Sequence, residues 1–391
     1  MKKILLFVIF CIFSLVFNTG ALWGENICVD PGGGGDYTNL QDALDYAETN
    51  GADDVIQVVQ GIYTGNYNGI FAYSSSQSNS ITLSGGYTSG CASRVLNPVN
   101  TVLSGGTGPY RVLALENSAG GDITVEGFTI INGDSGGYGG GIWAGSLNDS
   151  GTAGDITLTC NIIMGNSAYN CGGVYAHSLS TAGGSGGAIT LTNNTIAGNR
   201  ADNDCGGLEV DSYSTPASGD TITLTNNTIT GNSAGNSIGG LSIFMDNNVI
   251  NCYNNIIWGN TAPSTTDIYL NRVGGTANGY NNDYDLDSGG MHGTWDYGIG
   301  TNIDADPLFV HPGYWNGDQW INGNYHLRPN SPCIDKGHNS PPAGLPATDF
   351  EGDNRIIDGN DDGTTIVDMG VDEFIEEFPW EIFYPAFIEK K

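Results

Sequence analysis

Thr190-Leu-Thr-Asn-Asn-Thr-Ile-Ala-Gly-Asn199 decides the fold, because the chain says it four times. The phrase returns as Thr157-Leu-Thr-Cys-Asn-Ile-Ile-Met-Gly-Asn166, Thr223-Leu-Thr-Asn-Asn-Thr-Ile-Thr-Gly-Asn232 and Asn251-Cys-Tyr-Asn-Asn-Ile-Ile-Trp-Gly-Asn260. Its second Asn falls at 161, 194, 227 and 255, in steps of 33, 33 and 28. A second phrase keeps the beat: Gly140-Gly-Ile, Gly172-Gly-Val, Gly206-Gly-Leu and Gly239-Gly-Leu. A period in this range marks a solenoid, in which each rung buries its apolar face only against its neighbours.

The rung is built of strands. Ile156-Thr-Leu-Thr159, Ile189-Thr-Leu-Thr192 and Ile222-Thr-Leu-Thr225 alternate apolar with polar residues, so one face is buried and the other wet. Asn and Gly accept left-handed backbone angles and suit the corners between short strands. Stacked rungs place Asn161, Asn194, Asn227 and Asn255 above one another at roughly 4.8 Å, close enough for their amides to bond along the stack. Ile163, Ile196, Ile229 and Ile257, with Leu158, Leu191 and Leu224, form the inward stacks. The fold class is therefore all-β, a parallel β-helix, and right-handed by the default hand of parallel crossovers.

Flanking segments divide the rest. Lys2 and Lys3 precede an apolar run from Ile4 to Phe17, and Thr19-Gly-Ala21 offers small residues for cleavage, so residues 1–21 read as a secretory signal peptide. The run is shorter than the roughly 20 residues of a membrane span, and no integral membrane segment is expected after cleavage. Residues 22–52 form an N-terminal cap: Leu40, Ala43, Leu44 and Ala47 fall at i, i+3, i+4 and i+7 of an amphipathic helix, with Thr38 and Gln41 as a capping box. Residues 53–300 carry the repeats, 301–375 a C-terminal module without them, and 376–391 a tail of aromatics and acids.

These phrases resemble the right-handed β-helix repeats of pectin-lyase-like proteins, including polymorphic outer-membrane proteins. Gly35-Asp-Tyr-Thr-Asn-Leu-Gln-Asp-Ala-Leu44, followed by Gly61-Ile-Tyr-Thr64, is similar to the start of many secreted β-helix proteins. Ser331-Pro-Cys-Ile-Asp335, Thr348-Asp-Phe-Glu-Gly-Asp-Asn-Arg355 and Val367-Asp-Met-Gly-Val-Asp-Glu373 resemble the end of choice-of-anchor Q domain proteins. The resemblance implies a bacterial protein that is secreted or held at the cell surface. Members often carry a sorting tail after this module, and residues 376–391 show no recognisable anchor.

Charge narrows the partners. With 11 Lys+Arg against 42 Asp+Glu, the formal net charge is −31. Such a surface disfavours nucleic acid and anionic membranes, which need basic contacts, and favours polyanions only through a bridging cation. Seven of the eight cysteines lie beyond the leader, as suits an oxidising compartment. Cys171 and Cys205 both precede the Gly-Gly phrase, so they should stand in register on adjacent rungs, within disulfide reach. Cys28 with Cys91 is a second candidate pair.

Chemistry is harder to find. Lyases of this fold need a base to take the proton α to a uronate carboxyl. From residue 140 to residue 300 the basic side chains are Arg200 and Arg272, with no Lys. The Asn-x-Asp, Asp-Asp, Gly-His-Gly, Arg-x-Lys pattern of polygalacturonases is absent, as is the Gln-Asp-Thr phrase of pectin methylesterases. Alignment on the Gly-Gly phrase stacks Trp143, Tyr175, Glu209 and Ser242, and two residues on, facing the same way, Gly145, His177, Asp211 and Phe244. Trp143 and Tyr175 suit sugar stacking. Glu209 and Asp211, about 6.5–7 Å apart by strand rise, are candidate catalytic carboxylates with His177 beside them. Ordinary outward decoration of a β-helix is the competing reading. Ser/Thr/Gly-rich inserts at 146–154, 178–187 and 212–219 fall on one side of the stack, where solenoids often bind. Asp358-Gly-Asn-Asp-Asp-Gly363 matches the first half of a calcium loop through Asp358, Asn360 and Asp362, with Met369 where the closing Glu would be. Asp283, Asp285 and Asp287 have similar spacing without its glycine. The expected function is a secreted or surface β-helix that binds a polysaccharide or surface glycan or serves a structural role, with calcium the one cofactor suggested. The alternative is a divergent polysaccharide lyase or glycoside hydrolase.

Overall fold

The computed structural model describes residues 24–65, 69–106, 108–181, 183–214, 220–285 and 289–375; the leader, the tail and Asp287 lie outside them. Three long parallel sheets run along the molecule. The first face has nine strands, from Glu25–Val29 to Thr276–Tyr280, and includes the three Ile-Thr-Leu-Thr segments. The second has eight, among them Ile162–Met164, Thr195–Ala197, Thr228–Thr230 and Ile256–Trp258. The third has eight, among them Ile142–Asn148, Val174–Ser180, Leu208–Ser214 and Leu241–Asp246. A short four-stranded run leads into the third face. Ile156 pairs with Ile189 and Ile189 with Ile222; Ile163 pairs with Ile196, Ile229 and Ile257 in turn. This is a parallel β-helix, and the inward Leu and Ile stacks of the sequence are fully buried.

The Asn-Asn pair divides its labour. The first position is left-handed, with φ +52 at Cys160, +55 at Asn193, +54 at Asn226 and +59 at Asn254, angles that Asn tolerates better than most residues. The second forms the ladder. Asn161 Nδ2 donates to Asn194 Oδ1 at 3.1 Å, Asn194 to Asn227 and Asn227 to Asn255 at 3.0 Å, and Asn255 to Asn282 at 2.9 Å. Asn282 continues to Asn302, outside the repeated phrase. A second buried ladder runs from Asn166 through Asn199, Asn232 and Asn260. It ends on Asp267 Oδ1, 2.9 Å from Asn260 Nδ2. The last member of such a ladder needs only to accept, which a carboxyl oxygen does.

The ends are closed differently. Helix α1, Leu40–Ala47, buries Leu40, Ala43, Leu44 and Ala47 over the first rungs. Its N-cap is Asn39, not Thr38: the Asn39 side chain accepts from the Gln41 amide, while Gln41 turns to bond the backbone of Ala72. At the other end Trp295 lies against Gly279 and donates from Nε1 to the Tyr284 hydroxyl at 3.1 Å, both rings buried in the main core. The C-terminal module lies along the second face. Asn193, Asn226, Asn254 and Asn281 each donate from Nδ2 to its backbone, at Thr348, Asp368, His338 and Lys336 respectively. Arg355, with 2% of its side chain exposed, bonds Asn193 Oδ1 and the wholly buried Glu373. No helix among the described residues is long and apolar enough to cross a membrane.

Candidate functional site

The third face carries the row that the Gly-Gly alignment predicts. Trp143, Tyr175, Glu209, Ser242 and Tyr269 stand in one column, and Gly145, His177, Asp211, Phe244 and Asn271 in the next. The column extends to His292, whose ring stacks on Tyr269 with centroids 4.7 Å apart. Trp143 folds back over its own strand: a Cβ on Gly145 would meet its ring at 2.7 Å, so the missing side chain lets the indole lie flat. The Arg111 guanidinium sits 5.7 Å from that ring.

At the centre of the row the outward side chains are covered. Glu209 is 8% exposed and Asp211 7%. The Tyr175 hydroxyl donates to Asp211 Oδ2 at 2.8 Å and lies 3.4 Å from His177 Nδ1. His177 Nδ1 is 3.8 Å from the same Asp211 oxygen, and its ring stacks on Tyr175. Tyr138, from the short run before the third face, packs its ring 4.9 Å from Tyr175. Asp211 Oδ1 is buried with no hydrogen-bond partner among the described residues. Burial, with the charge of Asp211 next in size, raises Glu209 to about 8. Burial and the Asp211 charge also push the Tyr175 hydroxyl up. The arrangement pairs a carboxyl that keeps its proton near neutrality with a carboxylate that accepts from a phenol. Aromatic faces flank both groups.

Cys171 and Cys205 border the carboxylates, and the structure corrects their predicted bond. Both are buried free thiols, and the disulfide joins Cys28 to Cys91. Cys171 and Cys205 sit at the same corner of successive rungs, with φ +54 and +62, so their side chains leave the backbone side by side. A disulfide needs Cβ atoms about 3.5–4.5 Å apart, closer than the roughly 4.8 Å between parallel neighbours. The two Sγ atoms and a Glu209 carboxylate oxygen all lie within 4.8 Å of one another. Sequence reasoning missed Tyr138, and it read the Cys before two of the four Gly-Gly phrases as a disulfide rather than as a wall of thiols beside Glu209.

The other proposed sites fare differently. The Asp358 oxygens accept from the Asp362 and Gly363 amides, and Asn360 Oδ1 accepts from Asp362, so the loop closes on its own backbone. Asp283 is fully buried in a short strand; its oxygens take the Ala305 amide and the Cys333 thiol. The Asp285 amide bonds Asp267. The inserts after the third face begin later than the sequence suggested. Ser146, Ser178 and Ser212 belong to the strands and are fully buried, two of them accepting from the Gly154 and Gly187 amides.

A cleft of about 560 Å³ lies elsewhere, between the second corner of the rungs and the hairpin Tyr314–Asn316/Gln319–Ile321. Arg200, Asp202, Trp315 and Trp320 are among its lining residues. Trp315 donates from Nε1 to the Gly231 carbonyl at 3.1 Å, and its ring meets Trp320 edge to face.

No protein-family model matches the chain, and no curated protein matches it. Among solved structures, the crystal structure of a pectin methylesterase from Aspergillus niger, in a penultimately deglycosylated form, is similar over 73% of this chain and 86% of that one. The identity is 17% and the TM-score 0.29. The β-helix assignment therefore rests on this chain's own strand registers and ladders.

Proposed function

We propose that this is a secreted or bacterial cell-surface β-helix of pectin-lyase-like type that binds a glycan along the third face. The observation that carries the reading is the in-register row from Trp143 to Tyr269, which crosses four strand spacings, about 19 Å, with buried carboxylates at its middle. Aromatic faces pair with the apolar faces of pyranose rings, and carboxylates accept from sugar hydroxyls. The Cys28–Cys91 disulfide and the leader-like first residues support export. The segments 331–335, 348–355 and 367–373 support membership of the choice-of-anchor Q family. The acidic surface suits a neutral or cationic glycan, or an acidic one bridged by calcium. Calcium at Asp358, Asn360 and Asp362 would have to compete with the loop's own amides.

One observation favours a second reading, a divergent glycoside hydrolase: Glu209 and Asp211 are two buried carboxyl groups on one face of one strand. A glycan array and a reducing-end assay with the purified chain, with and without calcium, test both readings. Retention of one glycan class without cleavage, weakened at least about tenfold by Tyr175→Ala, is expected. Cleavage abolished by Glu209→Gln or Asp211→Asn would establish the hydrolase. Neither retention nor cleavage would leave a structural or protein-binding role.

A further inference from the structure

The corner beside the third-face row holds two thiols and a carboxyl group in one buried cluster. Cys171 and Cys205 are 0% exposed and Glu209 8%, and their ligand atoms lie within 4.8 Å of one another. The backbone under them is fixed. The Cys171 amide donates to the Asp204 carbonyl, Gly172 to the Cys205 carbonyl, and Cys205 to the Ser237 carbonyl. Each thiol is thereby held at an equivalent position on successive rungs. Glu209 is four residues beyond Cys205, on the strand that starts at Leu208. The charged neighbours acting on Cys205 are Glu209, Asp211 and Asp204, all acidic. Close by, Asp211 keeps a buried carboxylate oxygen that no donor among the described residues meets. Acidic groups gathered in a rigid, mostly dry corner, with an acceptor left over, can give up their protons to a divalent cation that then compensates their charge.

We propose that Cys171, Cys205 and Glu209 form a binding site for one thiophilic divalent cation, with zinc as the fitting ion. Two thiolates and a carboxylate select a borderline-soft metal over calcium or magnesium, which take oxygen ligands alone. A tetrahedral zinc site with Zn–S near 2.3 Å separates its ligands by roughly 3.8 Å, so the cluster closes by about 1 Å or less. Binding releases the two thiol protons and the proton of the Glu209 carboxyl to solvent and leaves a fourth position for water. The site shares Glu209 with the third-face row but rests on the thiol cluster, so it stands if the glycan reading fails.

The test is metal uptake by the full chain purified without chelator, with thiols counted first. Native mass spectrometry after zinc addition is expected to show one ion per chain. Cobalt(II) in its place is expected to give near-ultraviolet thiolate-to-metal absorption. Cys171→Ser and Cys205→Ser should each remove that absorption. Glu209→Gln should weaken binding by at least about tenfold. Cys160→Ser, at a buried thiol outside the cluster, should leave both readouts unchanged. No uptake by wild-type protein whose thiols are free overturns the proposal, and so does cobalt binding without thiolate bands. Peptide mapping that finds Cys171 joined to Cys205 in the freshly isolated protein also overturns it.

Discussion

Replacing Asn227 with Ala tests whether the ladders, rather than the apolar stacks alone, hold the rungs together. Asn227 is fully buried. Its Oδ1 accepts from the Asn194 amide and from Asn194 Nδ2, each at 3.0 Å. Its Nδ2 donates to the Leu191 carbonyl at 2.9 Å and to Asn255 Oδ1 at 3.0 Å. Truncation leaves Asn194 Nδ2 its bonds to the Leu158 and Thr192 carbonyls, and Asn255 Oδ1 still accepts from the Asn227 amide. Two backbone groups, the Asn194 N–H and the Leu191 C=O, lose the partner this side chain supplies. An orphaned buried polar group costs roughly 1–3 kcal/mol, so the loss is roughly 2–6 kcal/mol. Apolar burial is almost untouched, because the stacks of Ile196, Ile229, Leu191 and Leu224 are unchanged. Denaturant unfolding followed by circular dichroism should therefore show a lower midpoint with little change in slope. Hydrogen exchange should show the Asn194 amide losing protection ahead of amides in distant rungs. Asn227→Asp gives a second handle. The carboxylate keeps the acceptor for Asn194 but turns a negative oxygen toward the Leu191 carbonyl and Asn255 Oδ1, so the damage should ease as pH falls and the side chain regains a donor. A midpoint within about 0.5 kcal/mol of wild type for Asn227→Ala, with Asn194 still protected, would refute the reasoning and leave the Ile and Leu stacks as the whole account.

Other outcomes follow from particular contacts. Burial raises both Asp267 and Asp372 to about 7 from an ordinary 3.8. The folded chain thus holds protons that the unfolded chain has released between about pH 4 and pH 7. The resulting stability is fully present below about pH 4 and is lost as pH rises through 7, by up to roughly 4 kcal/mol per group. Thermal melts should show greater stability at pH 5 than at pH 8, with a shallower slope in Asp267→Asn, which keeps the acceptor for Asn260; stability that rises across this interval would contradict the assignment. Gly198 has φ +57, and a Cβ there would come within 2.0 Å of Trp320, whereas Gly259 has φ +68 with nothing near. Gly198→Ala should cost the roughly 1–2 kcal/mol of left-handed strain that Gly259→Ala also costs, and should in addition red-shift tryptophan emission as the hairpin lifts. Equal spectra for the two variants would deny the packing. Arg355→Met breaks a buried ion pair, at roughly 3–5 kcal/mol, and should expose the C-terminal module to limited proteolysis while the β-helix stays resistant. Uniform resistance would show that the Asn side chains alone hold the module.

The rung was legible because its signal repeats. Four copies placed Asn161, Asn194, Asn227 and Asn255 in register, and the Gly-Gly phrase did the same for Trp143, Tyr175 and Glu209. The second ladder lay in the same phrase, at Asn166, Asn199, Asn232 and Asn260. The preceding glycine, with φ from +57 to +68 in these rungs, made it read as a turn. Reading failed where contacts join segments with no common period. The bond from Trp315 to Gly231 spans 84 residues and that from Arg200 to Asp318 spans 118, so no local pattern announces the cleft. The cysteines show a finer limit. Register brought Cys171 and Cys205 to the same corner, but the rung spacing, slightly wider than a disulfide spans, leaves them two neighbouring thiols.

The two ladders set no limit on length, since any further rung with Asn at both positions would extend them. The C-terminal module sets one. Its Thr348, Asp368, His338 and Lys336 carbonyls are held by Asn193, Asn226, Asn254 and Asn281, on four consecutive rungs. A segment of fixed reach gripped at four heights works as a ruler. Remove one of those rungs and a carbonyl meets no amide; add one and the grips fall out of phase. The repeat makes the stack extensible, and the unrepeated quarter of the chain counts it.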